Sequence, residues 1–131
     1  MLNHIVIMGR MTRDPELRRT ASGTAVASFT LAVDRDFAPK FGGDRETDFI
    51  DCVAWRSTGE FVSKYFAKGR MAVVSGRLLI RPWTDKDGNK RKATELLVSS
   101  AAFTGEKREA AAKPTPTEDD YNAISDDDLP F

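Results

Sequence analysis

One cysteine, Cys52, and one histidine, His4, stand in 131 residues. A lone cysteine closes no intramolecular disulfide, and the two together fall short of the four ligands of a tetrahedral zinc site. No glycine-rich stretch leads into Lys-Ser or Lys-Thr at a helix start, so a phosphate loop and ATP hydrolysis find no support. Long apolar runs are also missing, since none approaches the roughly 20 residues that span a bilayer. The opening Met1-Leu2-Asn3-His4 lacks the basic-then-apolar order of a secretory signal, and a cytoplasmic location is expected, with no metal and no cofactor.

With 40% hydrophobic and 31% charged residues, the chain suits one small domain plus a tail. Its formal net charge of zero conceals a segregation. Residues 1 to 108 carry 19 Lys+Arg and 13 Asp+Glu, whereas residues 109 to 131 carry 1 and 7, a balance of +6 against −6. A basic body gains counterion-release free energy from a polyanion, while an acidic tail must be solvated or docked on something basic.

The body reads as strands with one helix. Ile5 to Met8 form an apolar run ending at Gly9, followed by a turn at Asp14-Pro15. Thr24 to Val33 is rich in β-branched and apolar residues. Thr47 to Trp55 alternates, with Phe49, Asp51, Val53 and Trp55 on one face and Ile50, Cys52 and Ala54 on the other. Phe61, Val62, Tyr65 and Phe66 then recur at helical spacing, with Ser57 and Glu60 as a capping box ahead and Gly69 as a stop. Met71 to Trp83 is a long strand in which Gly76 marks a bulge or bend. Asp87-Gly88 signals a hairpin, and Lys90 to Phe103 returns as the last strand. The order β-β-β-α-β-β is that of a mainly β fold, a five-stranded Greek-key barrel with its helix between strands three and four, the OB-fold. This body is expected over 1–105. From 106 to 125 the composition shifts to Glu, Ala, Lys, Pro and Thr, a flexible, disordered tether, and 126–131 is an acidic tip.

Four large aromatics fall where such a barrel presents side chains to a strand-shaped ligand: Phe37 in the loop after strand two, Phe49 and Trp55 on one face of strand three, and Trp83 near the end of strand four. Cations interleave them. The candidate phosphate contacts are Arg10, Arg35, Arg56, Arg77 and Arg81. Every base has a π-face, so an aromatic platform binds unpaired bases without reading sequence, at roughly 1 to 3 kcal/mol per stacked base. Duplex DNA keeps its bases stacked on one another and offers only phosphates, so the expected ligand is single-stranded DNA.

Blander readings compete. A strand Phe such as Phe49 is often core, whereas Trp83, between Arg81-Pro82 and Thr84-Asp85-Lys86, sits in a polar turn context that favours exposure. Phe41, beside Gly42-Gly43, is left out of the stacking set. Cys52 shares the inner face and reads as a small buried hydrophobe, and His4 as a surface or interface residue. Asp14 with Glu16, and Asp34 with Asp36, read as solvated turn charges rather than paired acids. Rival classes remain: an OB protein for structured RNA or an oligosaccharide, a metal-dependent nuclease, and a scaffold whose groove binds nothing. The preferred reading has no catalytic step.

The last six residues, Asp126-Asp127-Asp128-Leu129-Pro130-Phe131, combine three side-chain carboxylates and a terminal one with two apolar anchors. Such a peptide suits a basic-rimmed apolar pocket on a partner protein. This terminus resembles the signature tip of bacterial single-stranded DNA-binding proteins. Met8-Gly9-Arg10, Asp14-Pro15-Glu16-Leu17-Arg18, the Trp55 region, Tyr65 to Gly69 and Arg81-Pro82-Trp83-Thr84-Asp85 are similar to that family's pattern in the same order. The resemblance implies base stacking on Phe37, Phe49, Trp55 and Trp83, a homotetramer, and docking of replication, repair and recombination enzymes on the tip. Two departures stand out: the tether lacks the Gly/Gln-rich stretch of longer members, which limits its reach, and Phe replaces Trp at some stacking positions, which reduces ring area.

Overall fold

The structure, a computed structural model, describes residues 1–37, 40, 42–43 and 45–103. Phe41, the tether and the tip 126–131 lie outside the described residues. Six strands and one helix follow one another as β1 (Ile5–Met11), β2 (Glu16–Arg19), β3 (Ala25–Asp34), β4 (Thr47–Trp55), α1 (Arg56–Tyr65), β5 (Met71–Thr84) and β6 (Lys90–Phe103). The five expected strands are all present, with the helix between the third and fourth of them. The short β2 is additional. It forms a hairpin with β3, closed at its turn by the Thr20 amide donating to the Thr24 carbonyl at 2.9 Å.

The hydrogen-bonded order β1-β5-β6-β4-β3-β2, with a further β1–β3 pairing, closes five strands into a barrel. Arg10 opposite Ala32 and Met11 opposite Leu31 make that closure, so β1 runs past Gly9, where the apolar pattern alone would end it. The β4–β6 contact is parallel, Cys52 opposite Leu96 through Ala54 opposite Val98, and the other pairings are antiparallel. This is the OB-fold barrel that the element order predicts. No helix among the described residues is long and apolar enough to cross a membrane.

Strand alternation fills the interior. Phe29, Leu31, Cys52, Ala54, Val74, Leu96 and Val98 point inward and are buried. The helix adds Phe61, Val62 and Tyr65, and Phe66 follows directly. The Phe66 ring meets Phe29 edge-on at 5.7 Å and Phe103 at 4.7 Å. These spacings lie in the range of favourable aromatic pairs. Beside them Arg70 is 2% exposed, its guanidinium 3.6 Å from the Phe103 ring centroid and donating to the Tyr65 carbonyl at 3.3 Å. Helix-end carbonyl and ring face offset part of the hydration that this charge has lost.

The helix ends differ from the expected signals. Trp55, extended at φ −108°, occupies the cap position without a side-chain cap hydrogen bond, so Ser57 and Glu60 do not act as the capping box. Glu60 instead reaches across to Arg19 on β2, at 3.5 Å. The last turn closes at Tyr65, four residues before Gly69, because Phe66 turns extended to join the core.

The β5–β6 register shifts between Ser75 and Gly76. A Cβ on Gly76 would stand 1.9 Å from the Leu97 carbonyl oxygen, so the bulge requires glycine there. Beyond it the ladder continues as a two-stranded arm through Thr84 and Lys90, where most side chains are exposed.

Candidate nucleic-acid interface

Residues opposed in a ladder share a face, so the register assembles the outer surface row by row. One row is Arg18, Val26 and Trp55; the next is Ser28, Val53, Leu97 and Arg77; then Thr30 beside Asp51; then Arg10, Ala32 and Phe49. The arm extends this face with Leu79 opposite Glu95, Arg81 opposite Ala93, and Trp83 opposite Arg91. The face holds a groove of about 580 Å³ lined by residues of β2 to β6, among them Val53, Leu79, Leu97 and Trp55.

None of the four candidate stacking residues belongs to the core. Trp55 is half-buried and lines the groove. Phe49 is 68% exposed further along the same face of β4, Trp83 is 50% exposed on the arm, and Phe37 is 85% exposed in the loop after β3. For Phe49 the core reading therefore gives way, since its partner Ala32 offers too little bulk to cover a ring.

The arginines divide. Arg81 lines the groove but is hydrogen-bonded to Glu95 on β6. Arg77 lies on the same face, half-buried. Arg10 shares the Phe49 row, yet its guanidinium donates to the Gly69 carbonyl at 2.7 Å. Arg56, exposed at the strand-to-helix junction, is the one non-glycine residue with positive φ, 57°, among the described residues. That left-handed backbone turns the chain sharply after Trp55. Arg35 donates from both Nε and Nη2 to the Asp48 carboxylate, at 3.2 and 3.0 Å, and from Nη1 to Glu46. The hydrogen bond to Asp48 raises the Arg35 pKa, and Arg35 in turn holds the Asp48 carboxyl below its usual range.

The sequence reading missed Arg13, Arg18 and Arg19, which bring three more cations to the groove. Their signal was faint, because Glu16-Leu17-Arg18-Arg19 shows no apolar alternation and only the Ser22-Gly23 turn hints at a hairpin. Two carboxylates also line the groove: Glu95, beneath Arg81, and Asp51, which accepts the Thr30 hydroxyl at 2.9 Å. Asp85 was missed as well. Its Oδ1 accepts the amides of Asp87 (3.0 Å) and Asn89 (2.9 Å) and its Oδ2 accepts Arg91 Nε at 3.0 Å, which braces the arm tip two residues from Trp83. The Asn89 amide, then Arg91, holds this carboxyl below the usual range.

Other candidates settle into structural places. Cys52 is buried, and burial pushes its thiol up to about 12. His4 is exposed. Asp14 accepts the Lys68 amide at 2.9 Å and Asp34 the Thr47 hydroxyl at 2.7 Å, so both tie loops down rather than being merely solvated. Among the described residues no three His, Cys, Asp or Glu side chains gather as a metal site.

Comparison with known proteins bears on this face. The profile of the Single-strand binding protein family matches residues 2–104. The chain is 48% identical over 103 residues to the single-stranded DNA-binding protein of Halalkalibacterium halodurans, a span of 79% of this chain and 61% of that protein. It is also 48% identical over 103 residues to that of Bacillus cereus, covering 79% and 60%. Single-stranded DNA-binding protein 3 of Listeria innocua is 45% identical over 116 residues, 88% of this chain and 71% of its own. The match to the first two spans about three fifths of their length.

Proposed function

This chain belongs to the single-strand binding protein family, and from that premise we propose that it binds and protects single-stranded DNA without sequence specificity. The observation that carries the reading is geometric: Phe49, Trp55 and Trp83 lie on one outer, arginine-bearing sheet face that holds a groove, Phe37 is exposed in the loop after β3, and none of the four belongs to the core. Unpaired bases stack on Phe37, Phe49, Trp55 and Trp83, while Arg13, Arg18, Arg19, Arg56, Arg77 and Arg81 attract the intervening phosphates. Arg10, tied to Gly69, plays a smaller part. The protein works in the cytoplasm during replication, recombination and repair and has no catalytic step.

Two further parts complete the proposal. The tip Asp126 to Phe131 captures partner enzymes of those processes, inserting Leu129, Pro130 and Phe131 into an apolar pocket while the aspartates meet its basic rim. The chain also assembles as a homotetramer. In support, Val6 and Met8 on β1 and Leu78 and Ile80 on the arm are large apolar side chains left exposed on the single chain. Surfaces of that kind are commonly closed by a second copy.

Tryptophan fluorescence tests the central claim, because it reports only on Trp55 and Trp83. Titration with oligo-dT should quench it, duplex DNA should not, and the affinity should fall steeply with salt. Equal quenching by duplex, or an affinity for oligo-U or a sugar that exceeds that for oligo-dT, would overturn the reading.

A further inference from the structure

Arg35 sits two residues before Phe37, the most exposed of the four stacking residues, and the sequence suggests it as a phosphate contact. Its surroundings argue otherwise. The guanidinium is engaged by two carboxylates, Asp48 through two hydrogen bonds and Glu46 through a third, and the Arg35 amide donates to the Glu46 carbonyl at 2.9 Å. Asp34 accepts the Thr47 hydroxyl alongside, at 2.7 Å. A phosphate approaching Arg35 therefore meets two carboxylates for one cation, with a third, Asp34, next to it. All these contacts cross from the end of β3 to the start of β4, at the neck of the loop that carries Phe37.

We infer that Arg35, Glu46 and Asp48 form a latch that positions Phe37 for stacking. The inference rests on the proposed single-strand binding and adds a positioning group to it. An exposed ring on a loose loop loses conformational freedom whenever a base lands on it, and that loss weakens binding. A two-pronged guanidinium–carboxylate contact fixes both ends of the loop beforehand. Arginine suits this task and lysine does not, because only the planar fork reaches Asp48 twice and Glu46 once. Each ion pair is exposed, so the effect is modest and lies in the geometry of the network rather than in any single pair.

A latch and a phosphate contact predict opposite results. Asp48→Asn removes a negative charge from a DNA-binding protein, and electrostatics alone would tighten binding. The latch predicts weaker oligo-dT binding, by about twofold to fivefold. Arg35→Lys keeps the charge, so a phosphate contact would survive it, whereas the latch predicts a loss like that of Asp48→Asn. In both variants the slope of log affinity against log salt should match the wild type, because no phosphate contact is lost; a lost contact would lower it by about 0.7. In a Phe37→Ala background Asp48→Asn should cost nothing further. Melting temperatures of all variants should stay near the parent's, since these side chains are exposed. Tighter binding by Asp48→Asn, a wild-type affinity for Arg35→Lys, a reduced salt slope, or an undiminished effect without Phe37 would each overturn the latch. A wild-type protein that does not bind oligo-dT would sink the parent reading and the latch with it.

Discussion

Phe29 on β3 and Phe49 on β4 are the same residue on neighbouring strands with opposite fates. Phe29 faces inward opposite Cys52 and is 2% exposed, while Phe49 faces outward opposite Ala32 and lies open. The contrast extends to two populations of rings. Phe29, Phe61, Tyr65, Phe66 and Phe103 pack against one another at centroid distances of 4.7 to 6.5 Å and hold the helix on the barrel. Phe49, Trp55 and Trp83 stand on the other side of the sheet, on a face that carries arginines, and Phe37 is exposed in the loop after β3. On the strands parity decides which population a ring joins, while the inner set is completed from the helix end and the outer set by a loop residue, so aromatic side chains serve two unrelated tasks without conflict.

That division can be attacked from both sides. The largest effect should come from the inner set: Phe66→Ala should cost about 3 to 5 kcal/mol of stability, read from denaturant midpoints, because the ring is fully buried among Phe29, Phe61 and Phe103. The outer set should respond in the opposite currency. Trp55→Ala and Trp83→Ala should each weaken oligo-dT binding by about 1 to 3 kcal/mol. Trp83→Ala should leave the denaturant midpoint nearly unchanged, and half-buried Trp55 should shift it slightly. If Trp83→Ala unfolds the protein, or Phe66→Ala merely weakens binding, the two populations are not separate.

Charges on the outer face should give smaller changes still. Arg18→Ala and Arg19→Ala should each reduce the salt slope by about 0.7 and lower affinity for every sequence alike. A preference for one base appearing on either change would contradict a phosphate role. The response of Cys52 in the inner layer is confined to alkaline pH. Its folded-state pKa, pushed up to about 12 by burial, lies above that of the unfolded chain. The native state therefore keeps its proton longer. The associated stability is intact below the unfolded thiol value of about 8.5 and is lost as pH rises from there towards 12. Melting temperatures of the wild type should fall more steeply over that alkaline window than those of Cys52→Ala, and the two slopes should agree below pH 8.

Much of this architecture is legible in one dimension. The alternation of Thr47 to Trp55 placed Phe49 and Trp55 on one face and Cys52 on the other, and the β-β-β-α-β-β order led to the barrel. Strand β2 escaped notice because an edge strand exposed on both sides needs no apolar alternation, and Arg18 and Arg19 escaped with it. The capping box at Ser57 and Glu60 matched a local pattern, but the helix starts two residues earlier, with Trp55 at the cap position, and Glu60 lies 3.5 Å from Arg19 on β2. Arg35 shows the same limit: nearness in sequence to Phe37 suggested a phosphate contact, while the partners that neutralise it lie 11 and 13 residues away.

Which side chains alternate, where the chain turns, and which region is basic and which acidic can be read in one dimension, because these follow from spacing and composition within a few residues. Tertiary structure decided which arginines remain available to a ligand, how rows from five strands join into one groove, and which carboxylates share it. Pairing between charges acts through space at a few ångströms and is indifferent to sequence separation, so only the closed barrel, by setting strand register, could fix it.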